Sequence, residues 1–437
     1  MNISVIGLGK LGLCTAACFA SKGHQVIGMD QNSFFISELS QKRSPIDETG
    51  LEELLKSAWD NLTVTTDLKQ AVLNSEITLI IVPTPSESDG QFTNRYVEDV
   101  LKSIGPTIKE KDAFHVVDVV STVMPGSSDK SFRPLLEELS GKRCGIDFGL
   151  VYNPEFIALG SVIRNFLNPD MVLIGASDER SGNMVKELYR TTCESNPYIA
   201  VMSLINAEIT KLSLNCFVTM KISYVNELAS ICEKVPGTDI DVITKALGAD
   251  TRIGDKYLTG GLGFGGPCFP RDNIAFQAFA REMGAEARLG TQVVAINNNV
   301  VERLFQVITS NVSNNSKITL LGMSYKPETY IIEESQSVML AKKLTNNGFK
   351  VSIHDPKAIK NVKEVLGDTV DYEEDLLLCI KNVSSVVLLT NWHVYKELDW
   401  NIVDDFIPAG TLLLDSWRIL KEIRFQNFKY IGLGLGR

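Results

Sequence analysis

The chain has 437 residues, too long for one ordinary hydrophobic core, so roughly two to four domains are expected. Hydrophobic residues make up 44% and charged residues 22%, the balance of a folded soluble protein, which excludes a disordered or fibrous one. The formal net charge of −10 argues against nucleic acid as a partner, since phosphate backbones select basic faces, and any site for an anionic small ligand must be locally positive.

From the N-terminus, short apolar β-rich runs alternate with helical patterns. Ile3–Ile6, Val26–Met29, Thr78–Val82 and His115–Val120 predict central strands of a parallel sheet buried on both faces, and the helical stretches between them make βαβ units. Leu150–Tyr152 and Val172–Ile174 extend the same sheet. Asn2–Ile6 already reads as strand, which leaves no room for a signal peptide, and no apolar run reaches the roughly 18 residues of a membrane span. A cytoplasmic protein with no membrane partner is expected.

Gly7-Leu8-Gly9-Lys10-Leu11-Gly12 follows the first strand and opens a helical pattern. The first glycine permits a tight turn, the second lets backbone N–H groups reach a pyrophosphate, and the third allows close helix–strand packing. The second strand ends at Asp30, where a carboxylate accepts from ribose hydroxyls and repels a 2′-phosphate. NAD is therefore expected over NADP. Lys10 reads as a solvated residue at the helix start.

From Ser203 to Lys234 the period changes to that of one long helix, carrying Leu214, Val218, Val225, Leu228, Ala229 and Cys232 at helical spacing without Gly or Pro. More helices follow to about Val307. Alternation then returns with a strand at Ile318–Gly322, a helix at Ser335–Asn347 stopped by Gly348, and a strand at Lys350–His354. Val386–Leu389 and Thr411–Leu414 continue the series. The expected fold is α/β, two Rossmann-like doubly wound parallel-sheet domains joined by a central helical domain with one long helix. The expected boundaries are 1–198 for the NAD-binding domain, 199–307 for the helical one and 308–437 for the last.

The eight cysteines are scattered without a C-x-x-C pair, a pattern of free thiols with no disulfide frame, zinc site or other metal site. Cys268 stands apart. It lies in the run Gly261-Leu-Gly-Phe-Gly-Gly-Pro-Cys-Phe-Pro-Arg-Asp272, whose glycines let backbone approach a ligand and would be costly if they served only to fold the chain. A thiol is a good nucleophile once ionised; Arg271 can favour the thiolate, and Asp272 can take or place a proton.

This run resembles the catalytic loop of the UDP-glucose/GDP-mannose dehydrogenase family, and further motifs match in order along nearly the whole chain. They include Val82-Pro83-Thr84-Pro85, Ser121-Thr122-Val123 with Pro125-Gly126, and Asn153-Pro154-Glu155-Phe156. Glu208, Lys211 and Asn215, Arg252-Ile253-Gly254, Gly322 with Tyr325-Lys326-Pro327, and Asp415 with Arg418 follow. The likeness is nearest to the branch of the family that acts on UDP-glucose.

The resemblance implies oxidation of a sugar C6 alcohol to an aldehyde by hydride transfer to NAD, capture by Cys268 as a thiohemiacetal, and a second transfer to give a thioester. Water activated by Glu155 or Asp272 then releases the acid. The thioester step needs oxyanion stabilisation, and Lys211 and Asn215, four apart on the long helix, share a face and can point at one oxygen. Thr122 resembles a hydroxyl that holds a water near the reacting centre. Cofactor contacts are implied at Gly7, Gly9, Leu11, Gly12, Asp30, Pro83, Thr84, Thr122 and Arg271. Substrate contacts are implied at Glu155, Phe156, Lys211, Asn215, Tyr257, Gly261, Gly265 and Phe269, with Tyr325, Lys326 and Arg418 at the nucleotide end. Arg252 resembles an arginine that reaches the substrate from a neighbouring subunit, which implies a homodimer built on the long helix. None of the four histidines, at 24, 115, 354 and 393, lies in a matching motif, and all read as structural.

Three positions depart from the family pattern. Leu159 replaces a second acidic residue, Pro267 replaces a serine, and Glu333 stands where relatives carry arginine, a charge reversal near the expected cofactor cleft. The leading expectation is UDP-glucose converted to UDP-glucuronate, a precursor of capsule or other polysaccharide. GDP-mannose, a TDP-sugar, a UDP-N-acetylhexosamine, or a non-catalytic binding role are the competing readings.

Overall fold

A computed structural model describes residues 1–157 and 160–436, and the chain divides into two compact units, Met1–Ser213 and Leu214–Arg437. In the first, eight strands form one sheet: β1 (Asn2–Ile6), β2 (Gln25–Met29), β3 (Leu62–Thr65), β4 (Ile77–Ile80), β5 (His115–Val119), β6 (Phe148–Tyr152), β7 (Met171–Ala176) and β8 (Tyr198–Met202). Their order is β3-β2-β1-β4-β5-β6-β7-β8. β4, β5 and β6 are buried along their whole length, the pattern of strands covered on both faces. The winding reverses between β1 and β4, which leaves a crevice beyond their carboxyl ends, the usual place for a ligand in such sheets.

Two features differ from the sequence expectation of a parallel sheet. β7 runs antiparallel to β6, pairing Val151 with Ala176 and Tyr152 with Gly175, before β8 returns parallel to β7. β3 and β8, absent from the expectation, are edge strands and only partly buried. Over the sheet lies the helix Lys10–Ser21, buried from Gly12 to Ala20; its alanines and cysteines let it sit close, and Phe19 packs edge-on to Phe166 at 5.1 Å.

The long helix spans Leu204–Cys232, beginning in the first unit and continuing into the second. Helices Ile240–Ala249, Phe269–Glu282 and Arg288–Thr309 follow. The second sheet is parallel throughout and ordered β11-β10-β9-β12-β13-β14. Its strands are β9 (Lys317–Leu321), β10 (Lys350–His354), β11 (Asp371–Tyr372), β12 (Ser385–Leu388), β13 (Thr411–Asp415) and β14 (Phe428–Gly432). The expected helix after β9 spans Gln336–Asn346, and Gly348 beyond it takes φ +84.

The duplication of architecture reaches the level of single hydrogen bonds. After β1, Gly7 turns at φ +93, its N–H meets Met29 O at 2.8 Å, and Leu8 N–H donates to Asp30 Oδ2 at 2.7 Å. After β9, Gly322 turns at φ +94, its N–H meets His354 O at 2.9 Å, and Met323 N–H donates to Asp355 Oδ2 at 2.7 Å. All eight cysteines are free thiols, and among the described residues no helix is long and apolar enough to cross a membrane. His24, His115 and His354 are buried in hydrogen bonds to Thr192, Thr78 and Tyr395, as structural histidines should be.

Candidate active site

The expected residues fall in both units. In the first, Gly7, Gly9 and Gly12 each do what the fingerprint requires. A side chain at Gly7 would meet Ile81 O at 2.2 Å, and one at Gly12 would meet Gly7 O at 1.8 Å, so both glycines permit the turn and the close packing. A Cβ at Gly9 meets nothing within 4 Å. Gly9 caps the helix Lys10–Ser21 without a side-chain hydrogen bond, so open space faces first-turn amides suited to an anion. Asp30 holds the turn with one oxygen and Asn32 N–H with the other, and each oxygen keeps a lone pair for a ribose hydroxyl. These residues fit a dinucleotide. Lys10 is not merely solvated: its ammonium lies 3.2 Å from the buried carboxylate of Glu48.

The loops after β4 and β5 are tied together. Thr84 Oγ1 donates to Thr122 O at 2.6 Å, and Ser121 Oγ accepts from Val82 N–H at 2.9 Å. Buried Glu208 supports the following turn, accepting from Gly126 and Ser128 N–H groups. Pro83 is exposed, and Leu11 and Thr122 are half-buried.

Glu155 is partly buried beyond β6, where Tyr189 Oη donates to its Oε1 at 2.9 Å. Burial pushes its carboxyl up to about 7, against the pull of the Tyr189 hydrogen bond and the Lys211 charge. Lys211 Nζ donates at 2.6 Å to the backbone carbonyl of Glu155 and sits 4.6 Å from the centre of the Phe156 ring. Lys211, Glu155 and Phe156 therefore form one cluster, joined by Tyr189, which the sequence did not flag. Leu159 lies outside the described residues.

In the second unit, Cys268 is the one exposed cysteine of the eight. It occupies the N-cap of the helix Phe269–Glu282, where the helix dipole favours a thiolate. One turn in, Asp272 is buried and accepts from Asn215 Nδ2 at 2.6 Å, and Arg271 Nε is 3.6 Å from its other oxygen. Tyr257, at φ +64 and half exposed, and Phe264 both pack edge-on to Phe269 with centroids 6.4 Å apart.

On the side where a Cβ would stand, the glycines of this loop make room for the protein itself. A Cβ at Gly261 would strike the Trp417 ring at 2.8 Å, at Gly263 the Asn297 Oδ1 at 2.0 Å, and at Gly265 the Glu334 carbonyl at 2.5 Å. At Gly266 it would strike the Tyr325 ring at 2.6 Å. Glu333, expected near the cofactor cleft, lies against this loop: its carbonyl accepts from Gly266 N–H at 2.9 Å while its side chain is exposed. Tyr325 feels both Cys268 and Glu333, and burial raises its phenol beyond the usual range.

Arg418 also departs from expectation. Its side chain is fully buried at φ +58, and all its donors are used inside the unit, on Asp241, Ser416 O, Leu433 O and Gly260 O. A guanidinium so occupied holds the start of the cysteine loop and has no donor left for a diphosphate. Lys326 is half-buried, 5.8 Å from the Tyr325 ring centre. The Arg252 side chain is 87% exposed and paired with Asp250 at 2.6 Å.

Residues 1–193 match the NAD binding domain of the UDP-glucose/GDP-mannose dehydrogenase family, residues 205–299 its central domain and residues 319–422 its UDP binding domain. The chain is 35% identical to UDP-glucose 6-dehydrogenase of Haloferax volcanii, over 96% of this chain and 97% of that one. It is 34% identical to GDP-mannose 6-dehydrogenase of Pseudomonas aeruginosa, over 95% and 96%. A UDP-glucose dehydrogenase structure from Pyrobaculum islandicum superimposes with a TM-score of 0.89 at 34% identity, covering 99% of this chain and 97% of that one. The glycine turn, Asp30 and two wound sheets thus define an NAD-binding α/β oxidoreductase. The chain belongs to the UDP-glucose/GDP-mannose dehydrogenase family, and its cofactor is NAD.

Proposed function

We propose that the protein oxidises the C6 alcohol of a nucleotide sugar to the carboxylate, with UDP-glucose as substrate and Cys268 as covalent nucleophile. The observation that carries this reading is a solvent-exposed thiol at an uncapped helix N-terminus, one turn from the buried Asn215–Asp272 pair. NAD would supply the hydride acceptor, one molecule for each oxidation, and the first oxidation removes a hydride from C6 and a proton from its hydroxyl to give the aldehyde. The Cys268 sulfur adds to the C6 aldehyde carbon while its oxygen gains a proton. Loss of a hydride and that proton leaves a thioester on Cys268. Water adds to the thioester carbon, the C–S bond breaks, and sulfur leaves as thiolate.

Glu155, poised near neutrality, takes the proton from that water; Asp272 holds Asn215, whose remaining amide donor, with Lys211, stabilises the oxyanion. Thr122 places water. Leu11, Pro83, Thr84 and Arg271 complete the cofactor site, and Phe156, Tyr257, Gly261, Gly265, Phe269, Tyr325 and Lys326 contact substrate. The three domains meet near residues 198 and 307.

We also propose that the enzyme is a homodimer through the long helix. Phe217, Tyr224 and Ile231 are more than half exposed at seven-residue spacing, an apolar stripe fit for a second copy, and Arg252 then reaches the partner's site. The eight free thiols suit the reducing cytoplasm.

The test is stoichiometry with a panel of nucleotide sugars. UDP-glucose should be turned over fastest, with about two NADH formed per sugar, and Cys268→Ser should stop acid formation. Faster turnover of GDP-mannose would overturn the substrate; unchanged acid formation by Cys268→Ser would overturn the nucleophile.

A further inference from the structure

We propose that Asn226, Asn297 and Gln336 are positioning residues whose buried side-chain amides hold the backbone of Gly261–Phe264 and so fix where Cys268 stands. The inference rests on the covalent role of Cys268. The segment belongs to no helix or strand, so its N–H and C=O groups lack the partners a ladder would give. Side chains supply them. Asn226 Oδ1 accepts from Gly261 N–H at 2.9 Å and its Nδ2 donates to Leu262 O at 3.2 Å. Asn297 Oδ1 accepts from Phe264 N–H at 2.8 Å and its Nδ2 donates to Phe264 O at 3.0 Å. Gln336 Oε1 accepts from Gly263 N–H at 2.7 Å, and its Nε2 donates to Asn297 O at 2.9 Å.

A side-chain amide offers a carbonyl acceptor and an N–H donor in one plane, as a peptide group does, so three amides from three helices act as an absent strand. All three are buried, at 2%, 9% and 4% exposure. Gly263 is the counterpart of this clamp, since any side chain there would overlap Asn297 and Gln336. The constraint continues to the thiol. The Phe264 ring packs on Phe269, the residue after Cys268, and Gly266 N–H is held by Glu333 O. A loop with glycines at 260, 261, 263, 265 and 266 would otherwise sample many conformations, and a nucleophile at its end would be misplaced most of the time.

The isosteric acids give the sharpest test. Asn297→Asp and Gln336→Glu keep volume and acceptor but turn a donor into an oxygen facing a carbonyl. Each should lower kcat by about tenfold to a hundredfold with KM changed less than about twofold, because positioning and not binding is lost. Alkylation of Cys268 by iodoacetamide and amide hydrogen exchange at Gly261, Gly263 and Phe264 should change in the same variants. Parent-like kcat, alkylation and exchange in both would overturn the proposal. Should either variant fail to fold, the parent protein decides: these three amides must exchange as slowly as helix amides, and free exchange contradicts the clamp. The exchange readout does not depend on catalysis, so an active Cys268→Ser enzyme would remove the covalent role while leaving the clamp standing or falling by itself.

Discussion

Glu155 carries two opposite pH signatures, because burial makes its neutral form the favoured one. As the base that activates water it must be ionised, so kcat for acid release should rise as pH increases through about 7 and then level, and Glu155→Gln should abolish that limb. Folding shows the reverse. The raised carboxyl binds its proton more tightly in the native state, so its contribution to stability is present below the unfolded value of 4.5 and lost as pH rises through about 7. Glu155→Gln should therefore melt higher than the parent at about pH 8 and level with it at about pH 5. Equal melting curves at both pH values would show that the carboxyl is not strained by burial. Cys268, Asp272 and Glu155 could be singled out as candidates in the sequence because each sits in a contiguous motif. Arg418 was misread because its partner, Asp241, is 177 positions away, and a sequence displays a charge without the group that neutralises it. The amide clamp left a fainter trace. Lys211, Asn215, Thr219, Ser223 and Asn226 make a polar stripe at helical spacing, and all are buried, the pattern of a helix face turned toward a site and away from solvent.

At the scale of elements, the glycine turn separates packing from binding. Gly9 has φ −63 and no neighbour where a Cβ would stand, so Gly9→Ala should leave the melting temperature unchanged while weakening NAD by about tenfold or more. Gly12→Ala forces a Cβ within 1.8 Å of Gly7 O and should cost about 1–3 kcal/mol of stability as well as NAD binding. Isothermal titration and thermal melts on the pair check both; normal NAD affinity in Gly9→Ala would mean the cofactor does not approach this turn. Strands rich in β-branched apolar residues, such as His115–Val119 and Lys350–His354, were readable within a residue or so. The direction of β7 was not, because its apolar run states burial and says nothing about which way a strand enters the sheet.

For the whole molecule, two wound sheets and a long helix followed from the alternation of periods, whereas assembly depends on what stays exposed. Phe217→Asp with Ile231→Asp should shift the protein from dimer to monomer in sedimentation velocity, and a monomeric parent would contradict the dimer. Mixed dimers of Arg252→Ala chains with Cys268→Ser chains, each inactive alone, should regain activity, which would locate the contribution of Arg252 across the interface. The proposed reaction turns on a covalent bond between Cys268 and the sugar. Intact-protein and peptide mass spectrometry of Glu155→Gln, quenched during turnover with NAD and UDP-glucose, tests it most directly. An acyl adduct on the peptide that carries Cys268, absent without NAD, is the predicted result. An unmodified Cys268 in an enzyme still releasing sugar acid would contradict the covalent route.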